Sequence, residues 1–134
     1  MRSVIVAVVA VAVASACNEN PVASSDIFGE TWELASLQRN GSDVVVVQEP
    51  SKYTLRLDKD ARASVKSDCN ACGGSYSIDG STLKVGPIAC TRVACAEGSL
   101  DPEYPRTLEG SKTVLLNDSE LVIRGDGVTL RFRR

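Results

Sequence analysis

The residues with the widest chemical repertoire in this chain are its cysteines. Cys69-Asn70-Ala71-Cys72 is followed, across a hairpin signal, by Cys90-Thr91-Arg92-Val93-Ala94-Cys95. Two close pairs at this separation fit three chemistries: a four-thiolate zinc ribbon, a redox Cys-x-x-Cys at Cys69 and Cys72, or a frame of structural disulfides. A fifth cysteine, Cys17, stands directly behind Ala14-Ser15-Ala16, where lipid can be attached to an exported chain. The 134 residues contain no histidine, which excludes Ser-His-Asp and Cys-His nucleophilic sites and any zinc shell with an imidazole ligand. Fifteen basic side chains against 17 acidic ones give a net charge of −2, so nucleic acid is not an expected partner. No catalytic, cofactor-binding or metal site is expected.

The compartment separates the three cysteine readings. Met1 and Arg2, the apolar run Val4 to Val13 and the small residues before Cys17 form a bacterial-type export signal over residues 1–16. The apolar run is half the roughly 20 residues that a spanning helix needs, so the mature chain is not expected to cross a membrane. Cleavage by ordinary signal peptidase after Ala16 leaves Cys17 as an unpaired thiol, whereas thioether lipidation uses it and leaves four cysteines for pairing. Against lipidation, Ala14 occupies a position where a typical lipobox carries leucine. The expected location is the bacterial envelope: lipid-anchored at the outer membrane or periplasmic face through Cys17, or secreted if Cys17 is not lipidated. Outside the cytosol thiols are oxidised, which favours disulfides, and no βαβ pattern surrounds Cys69-x-x-Cys72 to make it thioredoxin-like.

The elements that must position these cysteines follow from the hydropathy pattern. Residues 17–27 are mostly polar and small and read as a tether, and residues 28–134 read as one domain. Tyr53, Leu55 and Leu57 alternate with Thr54, Arg56 and Asp58, and Val128, Leu130 and Phe132 alternate with Thr129, Arg131 and Arg133, the period of half-buried strands. Strands are expected over Thr31 to Gln38, Val44 to Gln48, Tyr53 to Asp58, Ala63 to Ser67, Ser75 to Ile78, Thr82 to Val85, Thr113 to Leu116, Glu120 to Arg124 and Val128 to Arg133. Asn40-Gly41, Asp79-Gly80, Asn117-Asp118 and Asp126-Gly127 mark tight turns between them. The glycosylation-like triplets at Asn40 and Asn117 are read as turns for the same reason.

One helix is expected within Leu100 to Lys112, with Asp101 as N-cap, Pro102 in the first turn and Tyr104 and Leu108 on one face. Val44 to Val47, four β-branched residues in a row, is expected to be a covered strand. Trp32 is read as a core or rim anchor rather than a ligand platform, and Arg131, Arg133 and Arg134 as a solvated strand face rather than a lipid contact. Pairing around Asp79-Gly80 turns Cys72 towards Cys90 and leaves Cys69 and Cys95 farther out on the two arms. The nested set, Cys72 with Cys90 and Cys69 with Cys95, is therefore expected, each bridge contributing about 3 kcal/mol.

In order along the chain, Thr31-Trp32-Glu33-Leu34, Cys69-Asn70, Gly73-Gly74-Ser75-Tyr76, Leu83-Lys84-Val85-Gly86-Pro87, Thr91-Arg92-Val93-Ala94-Cys95 and Leu108 resemble the META domain, or HslJ-like, family. The resemblance implies a mainly β fold, a small antiparallel sheet curled into a barrel-like domain with one short helix. It also implies an exported protein linked to envelope and stress tolerance, with no catalytic residues to carry over. Cys69 and Cys95 correspond to the family's motif cysteines, and Cys72 and Cys90 to an added pair. Pro102 and Pro105 depart from the family's more regular helix. The function expected is that of a non-enzymatic, monomeric envelope lipoprotein that binds a protein or small molecule. Two alternatives are a thiol redox or metal-handling protein using Cys69 and Cys72, and a protease-inhibitor-like domain presenting the loops Gln48 to Lys52 and Glu97 to Pro102.

Overall fold

The computed structural model describes residues 26–134. The export signal, Cys17 and most of the expected tether lie outside the described residues. Among the described residues are ten strands, β1 (Trp32–Arg39), β2 (Val45–Val46), β3 (Tyr53–Leu57), β4 (Arg62–Ser67), β5 (Asn70–Asp79), β6 (Thr82–Val85), β7 (Ala89–Cys90), β8 (Gly110–Asn117), β9 (Glu120–Gly125) and β10 (Val128–Arg133), and one α-helix, α1 (Glu103–Leu108). The antiparallel order β10-β9-β8-β6-β5-β4-β3-β1 closes on itself because β1 also pairs with β10, giving an eight-stranded barrel. The short β2 hangs from β1, and β7 from β5. This is the mainly β, barrel-like domain expected from the alternation.

Closure is possible because the barrel strands turn an apolar face inward, although β9 also buries the outward-facing Val122 between Leu121 and Ile123. Leu55, Leu57, Val65, Leu83, Val85, Ile123, Leu130 and Phe132 fill the interior from successive strands. In β1 the alternation runs through Trp32 and Leu34 and then changes phase, since the pairing with β10 shifts between Leu34 and Ser36. The extra residue, Ala35, turns Leu37 rather than Ser36 inward, which is what a bulge does. Trp32 is fully buried, its indole N–H donates to the Ile27 carbonyl, and the Arg134 guanidinium lies 5.2 Å from its ring centroid. The tryptophan is thus a core anchor. Ile27, placed in the tether by its sequence context, is also fully buried, so the fold takes in one residue more than its polar neighbours indicated.

Two expectations are corrected. Val44, Val45 and Val46 are 51%, 45% and 64% exposed, and only Val47 is buried. They lie on and beside the two-residue edge strand β2, whose single neighbour is β1, and no element among the described residues covers them. The short helix falls within Leu100 to Lys112, as expected, but is not capped by Asp101. Pro102 occupies the N-cap position after a cis Asp101–Pro102 bond, and Glu109 is already extended. Pro102 at the N-cap and Pro105 within the first turn lack N–H donors, and downstream the pairing of Gly110 with Val85 commits the chain to β8. Lys112 therefore sits in a strand. It is buried, and its ammonium donates to the Glu109 carbonyl and to Asp126 Oδ2, each at 2.5 Å.

Candidate binding site

The cysteines converge where β5 begins. Ser67 pairs with Asn70 across a two-residue turn, and Asp68 adopts φ +56, placing Cys69 at the tip. β5 is long because it serves two partners beyond β4: Cys72 and Gly73 pair with Cys90 and Ala89 of β7, and Tyr76 to Asp79 pair with β6. The segment joining β6 to β7 crosses Gly74 so closely that a Cβ there would lie 2.9 Å from the Pro87 carbonyl oxygen. That approach accounts for a glycine at this point of the Gly73-Gly74-Ser75-Tyr76 motif.

Cys69 is bonded to Cys95 and Cys72 to Cys90, the nested connectivity. Cys69 and Cys72 thus belong to different bridges, so the thiol pair of the redox and metal-handling alternative is not assembled. Between the bridges, Asn70 is 2% exposed and works as a hub. Its Oδ1 accepts from Thr91 Oγ1 (2.9 Å) and from the Val93 amide (2.8 Å), and its Nδ2 donates to the Val93 carbonyl (2.9 Å) and to Asp101 Oδ2 (2.9 Å). Asp101 also accepts from Ser67 Oγ at 2.6 Å. The Cys-Asn and Thr-x-x-Ala-Cys motifs are therefore two halves of one clamp that straps the loop after β7 onto the barrel. The loops proposed for inhibitor-like presentation are tied down by the same region, since Tyr53, which follows Pro50–Lys52, accepts a hydrogen bond from the Leu100 amide at 3.0 Å.

The strapped loop and α1 enclose a cleft of about 810 Å³. Residues 88–94 form one wall, Pro102, Pro105, Arg106 and Glu109 the other, and Asn70 and Asp101 line it between them. Glu109 Oε1 accepts from the Ile88 amide at 2.9 Å, which joins the two walls. Arg92 and Arg106 are exposed, and their side chains make no hydrogen bond or ion pair among the described residues. From sequence Asp101 was expected only to cap the helix, and Asn70, Arg92 and Arg106 had no expected role at a site. Only the adjacency of Asn70 to Cys69 and its place in the motif order offered a signal for any of them. Of the other cationic side chains read from sequence, Arg131 pairs with Glu120 at 2.7 Å, Arg134 reaches the Asp118 carbonyl at 3.0 Å, and Arg133 is exposed.

The fold occurs in other solved structures. A protein from Burkholderia xenovorans superposes with a TM-score of 0.69 at 26% identity, covering 86% of this chain and 88% of that one. A lipocalin-like protein from Bacteroides uniformis shares the fold at 18% identity, with a TM-score of 0.55 and coverage of 81% and 98%. Among curated proteins none matches the chain. The META domain model matches residues 25–134, the whole of the barrel with its clamp and helix, and the chain belongs to the META domain family.

Proposed function

We propose that this protein is an exported, lipid-anchored envelope component whose META barrel acts as a monomer by binding a protein or small molecule rather than by catalysis, in support of the envelope under stress. Export is supported by the signal-like residues 1–16 and by two disulfides, which persist outside the reducing cytosol. Anchoring is supported by Cys17, the cysteine left over once the other four are paired. A lipocalin holds its ligand inside the barrel. Here the interior is occupied by Trp32, Tyr104, Phe132 and a shell of leucines, so a partner has to meet the outside.

The observation that carries the binding reading is the cleft between the clamped loop and α1, whose walls are fixed before any ligand arrives. The test joins palmitate labelling to fractionation and crosslinked co-purification from envelope extracts. Labelled wild type at the membrane, a Cys17→Ala protein released from it, and a partner crosslinked at the cleft are expected. Absence of label together with unchanged membrane retention of Cys17→Ala would remove the anchor. Capture that is insensitive to bulky substitutions at Thr91 and Pro102 would remove the cleft.

A further inference from the structure

Four charged side chains line the cleft, and their commitments differ by sign. Asp101 accepts hydrogen bonds from Ser67 and Asn70, and Glu109 accepts one from the Ile88 amide, so both carboxylates are engaged in holding the walls. Arg92 on the loop wall and Arg106 on the helix wall have no partner among the described residues. Arg106 stands in the last turn of α1, where a cation offsets terminal carbonyls, and that role leaves its guanidinium donors free. Each guanidinium offers five N–H donors in a planar fork suited to a carboxylate or phosphate. Val93 and Pro105 add apolar surface beside them.

We propose that this cleft is an anion subsite, in which Arg92 and Arg106 together take a carboxylate or phosphate carried on a short apolar body. The inference rests on the binding reading above and names the chemistry of the ligand. The whole protein carries a net charge of −2, so discrimination in favour of an anion has to arise from this local pair and not from long-range steering. The cost of ordering the site is lowered by the clamp, because the loop bearing Arg92 is held between Cys90 and Cys95 and by Asn70.

The experiment is an amide and arginine side-chain NMR titration of the disulfide-intact protein with hexanoate, hexyl phosphate and hexanol. Saturable shifts at residues 88–94 and at Arg106 are expected with both anions and not with hexanol. A tighter hexanoate curve assigns the head group as a carboxylate, and a tighter hexyl phosphate curve as a phosphate. Arg92→Gln and Arg106→Gln are each expected to weaken binding about three- to tenfold, the discount from a buried pair reflecting their exposure. Neither variant should unfold, since neither arginine side chain makes a hydrogen bond or ion pair among the described residues, and melting temperatures within a few degrees of wild type verify that. Equal shifts with hexanol, saturation confined to another face, no saturation by about 10 mM, or an Arg92→Gln/Arg106→Gln double variant that binds like wild type would overturn the subsite. Loss of the anion response with intact partner capture at the cleft removes this inference and leaves the binding reading. Loss of capture with an intact anion response does the reverse.

Discussion

Replacing Asn70 by alanine tests whether one amide holds the clamped loop in place. Besides a long, weak bond to Cys95 Sγ at 3.5 Å, the side chain makes four hydrogen bonds to nitrogen and oxygen partners, two with Val93, one with Thr91 and one with Asp101. At about 1 kcal/mol for each neutral bond and about 1.5–3 for the one to a carboxylate, the gross contribution is about 4.5–6 kcal/mol. Thr91 and Val93 are exposed and can turn to water, and the two disulfides keep the loop near the barrel after the amide is gone. What remains is the lost donor to Asp101 and the buried space of the amide. The expected loss is therefore about 2–3 kcal/mol, or about 8–12 °C in melting temperature for a domain of this size. Urea unfolding followed by tryptophan fluorescence, with Trp32 as the sole reporter, should show a lower midpoint at an unchanged slope. Asn70→Asp should fall below Asn70→Ala, because it removes both donors and sets a second carboxylate against Asp101. A loss under about 0.5 kcal/mol, the range of an ordinary surface substitution, would refute the hub.

Removing the inner bridge by Cys72→Ala/Cys90→Ala should cost about 3 kcal/mol and raise the urea slope, as the denatured chain loses a closed loop. Removing both bridges should cost less than twice that, because the inner loop lies within the outer one. Tyr104 is fully buried and its hydroxyl has no hydrogen-bond partner among the described residues, so Tyr104→Phe should be neutral or stabilising by up to about 1 kcal/mol in the same urea assay. Burial also holds the Tyr104 phenol well above its ordinary pKa of 10.0. Since only the unfolded chain ionises there, the stability Tyr104 contributes is intact below pH ~10. It is lost above that by up to about 1.4 kcal/mol per pH unit until the raised folded value is passed. Tyr76, raised by burial and by Asp58 and Asp60, adds to the alkaline loss, and a Tyr104→Phe stability–pH curve should be correspondingly flatter. Val46→Lys should change stability by less than about 0.5 kcal/mol and reduce light scattering in concentrated solution, given its exposure on an edge strand. A larger loss would mean that Val46 packs against something.

The strands were legible because alternation is local: β6 and β10 span the segments the pattern marked, and β3, β4, β8 and β9 differ from it by a few terminal residues. The nested bridges were legible too, since a hairpin about Asp79-Gly80 fixes which cysteines face each other. The full length of β5 was not, because Asn70 to Gly74 is polar and glycine-rich and becomes strand only through β4 and β7. Val44 to Val47 misled for a related reason. A run of β-branched residues specifies extended backbone, but whether another element covers it is settled elsewhere in the chain. The end of the helix was set by a pairing some 25 residues away in sequence, Gly110 with Val85.

The antiparallel barrel-forming strands, the disulfide frame and the absence of imidazole chemistry follow from residue type and short-range period, and so are written in the chain locally. The closure of β1 onto β10, and the service of Asp101 to the Asn70 hub instead of a helix cap, arise from the packing of the folded chain. That packing alone sets Arg92 and Arg106 across a cleft from each other. Those outcomes depend on contacts between segments far apart in the chain, and no local pattern carries the geometry that brings them together.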